Sequence, residues 1–87
     1  MRWHDLFPAE VVHDIPRVTL TGCTDVLVEQ HHGLVVYRED EIIFATASGQ
    51  LRINGEHLGF ATYSAVNAQI RGKIFSIALD HRQEARS

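Results

Sequence analysis

"NAQIRGKIFSIALD", residues 67 to 80, is a strand-length run that carries two apolar phases. In an extended chain Ile70 and Ile74 fall on one face, while Phe75, Ile77 and Leu79 fall on the other. One flat strand cannot bury both sets against a single core. Gly72 stands where the phase changes. The run therefore predicts a bulge or bend near residues 72–75, with the second set reaching a core or forming an oligomer face.

Period two continues upstream. In "RVTLT", Val18 and Leu20 alternate with Arg17, Thr19 and Thr21, and "DVLVEQ", "GLVVYRE", "EIIFATA", "QLRING" and "HLGFATY" follow. β-Branched and aromatic residues dominate these runs, and each is of strand length. Gly22, Gly33, Gly49, Gly55 and the charged run Arg38-Glu39-Asp40-Glu41 punctuate them. Asn54-Gly55 has the composition of a two-residue type I′ hairpin turn. Residues 30–33 and 46–49 suit longer glycine-containing turns. Roughly seven or eight strands are expected, mostly antiparallel, because parallel crossovers need about a dozen residues or more. Consecutive apolar residues in "LVVYRE" and "EIIFATA" suggest strands covered on both sides. The expected fold is a single small all-β domain, a sandwich or a curled roll. A short β-solenoid is the alternative, and the lack of a strict repeat period counts against it.

Residues 1–14 read differently. "LFPAEVVHD" suits about two helical turns, with Pro8 near the first turn and Leu6, Phe7, Val11 and Val12 on one apolar face. A helix this short is marginal alone and must dock or fray. Pro16 pushes Ile15 towards extended geometry, so it ends the arm and starts a strand. The division is a 1–14 N-terminal arm, a 15–80 β domain and an 81–87 C-terminal tail.

A chain of 87 residues makes one domain with a modest core, for which oligomerisation is a natural supplement. Net charge is −3 with histidines neutral, so no basic field attracts nucleic-acid phosphates. The single cysteine, Cys23, permits no intrachain disulfide and fits a reducing compartment. No signal peptide and no apolar run near the ~20 residues of a membrane span are apparent. The expectation is a cytoplasmic protein without direct membrane insertion.

Candidate chemistry is thin. His31-His32 suggests metal binding, but no Cys/His spacing matches a zinc signature, and solvated turn histidines are the simpler reading. Cys23 lacks a nucleophile motif. Asp25 with Glu29, or the Glu39, Asp40 and Glu41 run, offers carboxylates without the burial that acid–base work needs. No glycine-rich loop follows a strand and opens a helix, so no phosphate cradle is expected. Arg17, Arg52, Arg71 and Lys73 alternate with apolar residues, as on an ordinary wet sheet face. No enzyme, no cofactor and no metal are expected.

"FPAEVVHDIPRVTLTG", "VLVEQHHGLVVY", "LRINGEHL" and "QIRGKIFSIALD" resemble the YabP/YqfC family of sporulation proteins of endospore-forming bacteria. The likeness spans about residues 6–80. Its order is specific: Pro16-Arg17, Val28-Glu29 before His32-Gly33, Leu51-x-Ile53-x-Gly55, then Ile70-x-Gly72-x-Ile74. Cys23 and "FATYSAVNA" depart from the family pattern. The resemblance implies a role in forming or maturing the spore envelope, on the mother-cell side, beside a YqfD-like membrane protein. It implies no catalytic residues. Pro16, Arg17, Glu29, Gly33, Gly55 and Gly72 transfer as motif positions, structural or partner-binding, with Arg17 and Glu29 as a possible cross-strand ion pair.

Two functions stand open. One is a non-enzymatic interaction module that docks on a membrane partner or forms a homo-oligomer, with Trp3, Leu6 and Phe7 as assembly contacts. The other is a small-ligand or carbohydrate-binding β-domain, which requires a concave aromatic-lined site. A hydrolase stands third.

Overall fold

The computed structural model describes residues 15–47 and 49–81, residue 81 by its backbone alone. The strands are β1 (Arg17–Thr21), β2 (Asp25–Glu29), β3 (Leu34–Tyr37), β4 (Glu41–Ala45), β5 (Gly49–Tyr63) and β6 (Asn67–His81). They form one six-stranded sheet in the order β1-β2-β6-β5-β4-β3. Every neighbouring pair is antiparallel, and no helix occurs among the described residues. The all-β, antiparallel expectation is met, and the antiparallel order leaves no place for a solenoid. The helical arm at 1–14, with Trp3, Leu6 and Phe7, lies outside the described residues, as does the chain after residue 81.

Six strands stand where seven or eight are expected, because "QLRING" and "HLGFATY" are one strand. Asn54-Gly55 is not a hairpin turn. It lies inside the 15-residue β5, with Asn54 opposite Ser76 and Gly55 opposite Ile74 of the 15-residue β6. A Cβ at Gly55 would collide with the Lys73 carbonyl oxygen. Glycine is needed there for close backbone approach, not for a turn. Residues 30–33 are not a hairpin turn either, since β2 and β3 lie at separate places in the sheet.

The long β5–β6 hairpin is shared by two half-sheets. The first half of β5 pairs with β4, and the first half of β6 pairs with β2. Each half turns an apolar row inward: Val26, Val28, Ala68 and Ile70 from one, Ile42, Phe44, Leu51 and Ile53 from the other. Both rows belong to one core cluster. The His31 ring, just past β2, lies 4.7 Å from the ring of Phe44 in β4. In a flat sheet those strands would stand about 14 Å apart, three strand spacings. The sheet is therefore curled, and burying each large apolar side chain of its core contributes about 1.5–3 kcal/mol.

The bend lies at Gly72. Glu56 faces Lys73 and Gly59 faces Arg71, so His57 and Leu58 of β5 stand against Gly72 alone. His57 has φ 55° and Gly72 φ 147°, and Leu58 is driven into the core. One step on, Gly55 faces Ile74 while Asn54 faces Ser76, which makes Phe75 the extra residue of β6. The phase changes there. Ala68, Ile70 and Ile74 point inward before the bulge; Ile77 packs on the same core after it, and Leu79 stands opposite Leu51. Alternation groups Phe75 with Ile77 and Leu79, but as the bulge residue it is exposed.

Both short hairpins are tied to this bend. Gly72 N–H donates to the Thr24 carbonyl at 3.2 Å and Ile74 N–H to the Cys23 carbonyl at 2.8 Å. On the other side Gly55 N–H donates to Asp40 at 3.1 Å and Leu58 N–H to Glu39 at 2.8 Å. The expectation of two-sided cover holds for β4, whose Ile42, Ile43 and Phe44 are all buried, but not for β3, an edge strand that is mostly exposed.

A Cβ at Gly72 would lie 2.6 Å from the His57 carbonyl oxygen and 2.9 Å from the Leu58 Cα, both backbone. Gly72→Val is expected to cost more than about 2 kcal/mol, through backbone strain and steric clash. Gly22→Asn, at φ 61° where a Cβ would meet only the Thr24 hydroxyl at 3.9 Å, is expected to cost under about 1 kcal/mol. Urea denaturation of the two variants compares them, and equal midpoints would contradict this account of the bend.

Candidate functional site

The motif residues fall in three places. Pro16 directly precedes β1, Arg17 opens β1, and Glu29 closes β2 opposite it. Arg17 Nε lies 3.8 Å from Glu29 Oε1, so the cross-strand pair forms, with the Arg17 side chain 79% and the Glu29 side chain 37% exposed. Solvent limits such a pair to about 0–1 kcal/mol. Gly33 lies on the crossing from β2 to β3, where its carbonyl accepts from Ala45 N–H at 2.8 Å. Gly72 lies at the bend and Gly55 beside it. These positions build the fold and do not converge on one reactive centre.

His31 is the polar residue that sequence reading missed. It is fully buried rather than solvated in a turn. Gln30 adopts φ 67°, which breaks the strand phase after Val26 and Val28 and swings His31 inward. Gly33 N–H donates to His31 Nδ1 at 2.9 Å, so Nε2 carries the proton and donates to the Ser64 carbonyl at 3.1 Å. The His31 N–H also donates to the Val66 carbonyl at 2.9 Å, and the His32 N–H to Ala45 at 2.8 Å. The crossing segment thus ties the β5–β6 loop to the end of β4. With both ring nitrogens engaged by peptide groups, His31 is a structural clasp and has no lone pair left for a metal. No signal of alternation could have found it, because a single left-handed residue sets its direction.

From His31 an aromatic row runs across the inner face. The Tyr63 ring stacks on His31 at 5.6 Å, Phe60 lies 5.0 Å from Tyr63, and Tyr37 stacks on Phe60 at 4.8 Å. The row begins at the buried His31 and ends at Tyr37, and both Tyr37 and Tyr63 are about half exposed.

The remaining charged candidates are dispersed. Glu39, Asp40, Glu56 and His57 line an open cleft at the bend. His57 Nδ1 stands 3.7 Å from Glu39 Oε2, with both side chains about four-fifths in water (82% and 78%). Among the described residues no group of three or more His, Cys, Asp or Glu side chains is placed to hold a metal ion. Asp25 and Glu29 do not meet as a carboxylate pair: Asp25 Oδ1 holds Arg71 Nε at 3.0 Å, and Glu29 faces Arg17. Arg52 pairs with Asp80 at 3.4 Å, and Lys73 lies over the Phe75 ring at 5.7 Å. The basic residues of the sheet are thus largely neutralised in place. Cys23 is exposed in the β1–β2 turn. No described helix is long and apolar enough to cross a membrane.

The fold and these sites define a small curled antiparallel β-domain without a catalytic constellation among the described residues. The chain belongs to the YabP family, whose model matches residues 13–86. It is also similar to the uncharacterized protein YqfC of Bacillus subtilis (strain 168), with 34% identity over 50 residues. That match covers 58% of this chain and 54% of the relative, so it spans about half the length of each. No solved structure matches the chain. Family membership supports a sporulation-associated protein, the setting that the sequence resemblance implies.

Two outcomes are expected at His31. His31→Ala should cost about 3 kcal/mol in denaturant titrations, from lost ring packing and two stranded peptide groups. A cost below about 1 kcal/mol, the range of a surface substitution, would remove the clasp. EDTA should leave the melting temperature unchanged, because structural metal is coupled to folding. A drop in melting temperature on chelation, reversed by zinc, would place a metal ligand set in this chain.

Proposed function

We propose that the chain is a non-enzymatic interaction module of spore-envelope formation or maturation, which self-associates and docks on a membrane protein on the mother-cell side. One observation carries the reading: the sheet ends in two edge strands, β1 and β3, and its inner apolar face runs out to solvent. Leu20 is 48%, Tyr37 52%, Tyr63 49% and Leu79 42% exposed, well beyond ordinary core residues. An open edge and an uncovered apolar rim suit association with another protein. The open cleft at the bend has an acidic lining without an aromatic residue, which does not suit an apolar or sugar ligand. The family supports the sporulation setting; the envelope role and a YqfD-like membrane partner follow from the resemblance and are part of this proposal.

The carbohydrate-binding reading has one observation in its favour, the stacked row Tyr37, Phe60 and Tyr63. Stacked rings offer flat faces to a sugar, but Phe60 is half-covered between its neighbours, and the open cleft at the bend is lined by Glu39, Asp40, Glu56 and His57 rather than by these rings.

Co-purification tests the first reading. Tagged chain expressed in sporulating cells with a tagged YqfD-like protein is expected to recover that protein from detergent-solubilised membranes. Failure to recover it, together with glycan-induced NMR shifts of the Tyr37 and Tyr63 rings, would transfer support to the carbohydrate reading.

A further inference from the structure

The two sheet edges are not equivalent. β3 has only four residues, a register shift between Leu34 and Val36, and the charged run Arg38-Glu39-Asp40 immediately after it. Short length, a bulge and nearby charge are the usual protections of an edge. β1 has five residues in unbroken register with β2, from Arg17 opposite Glu29 to Thr21 opposite Asp25. It bears no charge from Val18 to Thr21. Pro16, which has no N–H, marks where a ladder on this edge must end.

We infer that β1 is a self-pairing edge: it joins β1 of a second copy, antiparallel, about a twofold axis at Thr19. This rests on the interaction-module reading and names the surface that reading lacks. The register follows from side-chain chemistry. With Thr19 opposite Thr19, Val18 stands opposite Leu20 of the second copy, and Arg17 opposite its Thr21. Val18 and Leu20 share the inner face with Val28 and Val26, their partners in β2. The inner row then reads Val28, Val18, Leu20 of the second copy, Val26 of the second copy. Leu20, 48% exposed in the single chain, gains an apolar neighbour across the axis.

The outer face is complementary in charge. Its row reads Glu29, Arg17, then Thr21, Asp25 and Arg71 of the second copy. Arg17, paired to Glu29 at 3.8 Å, faces an uncharged threonine with a carboxylate one strand further on. No like charges stand opposite each other anywhere in the ladder, and the Thr19 pair at the axis is a favourable cross-strand combination. A one-residue slip would bring Arg17 against the inner apolar row. A two-residue slip would leave fewer pairs. The twofold register thus satisfies both faces at once, and the union is a continuous sheet with the protected β3 strands at its outer ends.

The test uses the full chain. Light scattering at ~200 μM is expected to give a mass rising towards twice that of the monomer. Thr19→Lys sets two ammonium groups opposite each other on an exposed position, and is expected to return the mass to that of the monomer with an unchanged melting temperature. In a Cys23→Ser background, Thr19→Cys is expected to form a disulfide-linked dimer under mild oxidation. Directly opposed Cα atoms in such a ladder lie about 4.5–5.5 Å apart, within disulfide reach. Thr21→Cys, which faces Arg17 rather than itself, is expected to crosslink at least tenfold more slowly. A full chain that stays monomeric overturns the inference, and a successful co-purification with the membrane protein would then leave the proposed function standing. Association that survives Thr19→Lys, or equal crosslinking at 19 and 21, also overturns it, and assigns the contact to another surface, such as residues 1–14.

Discussion

Two stretches of backbone touch at the bend, and the rest of the structure depends on that contact. Gly72 of β6 lies so close to residues 56–58 of β5 that even a methyl group would overlap their peptide atoms. This closeness lets a long hairpin fold across its middle without losing its pairing on either side. The two halves of the sheet then face each other, and the apolar rows that each strand carries on one side become a single core. The turns of the short hairpins, at Cys23-Thr24 and Glu39-Asp40, supply the carbonyls for the peptide N–H groups freed at the bend. Buried backbone polar groups need such partners, so the bend and the hairpins stabilise each other.

At the other end of the roll, His31 does the complementary work. Its ring fills the space between Phe44 and Tyr63 and bonds to peptide groups of two separate segments. A buried polar side chain with both nitrogens satisfied adds specificity to an otherwise apolar seam. The chemistry that a histidine pair might suggest is spent on holding the chain crossing in place. The charged residues tell a similar story, since Arg17, Arg52 and Arg71 each stand against a carboxylate. Among the described residues, what is left outside these pairings is geometric: two edge strands and a partly exposed apolar rim.

Much of this fold was legible from local pattern. Alternation in "RVTLT" and "DVLVE", the proline before β1 and the phase change around Gly72 all carried through to the structure. The strand count did not, because Asn54-Gly55 has the composition of a turn and is used instead for a close approach to Lys73. Residues 30–33 also look like a turn and are a crossing between half-sheets. In both cases local composition permits two conformations, and a distant strand selects one. The Arg17–Glu29 pair was visible as a possibility in the family motif, and the register of β1 on β2 makes it real. His31 was not visible, since its neighbour Gln30 gives no sequence sign of the left-handed conformation that turns the ring inward.

By itself the sequence determined the class of fold, the family, and the place where the last strand must change face. Those properties follow from side-chain periodicity and from residue types with strong backbone preferences, both local in the chain. Only the tertiary structure decided which strands became edges, which histidine entered the core, and why Gly55 had to lack a side chain. These depend on contacts between segments far apart in sequence, such as residues 55 and 73 or 31 and 64. Period-two alternation says which way a strand faces, but not what it will meet there.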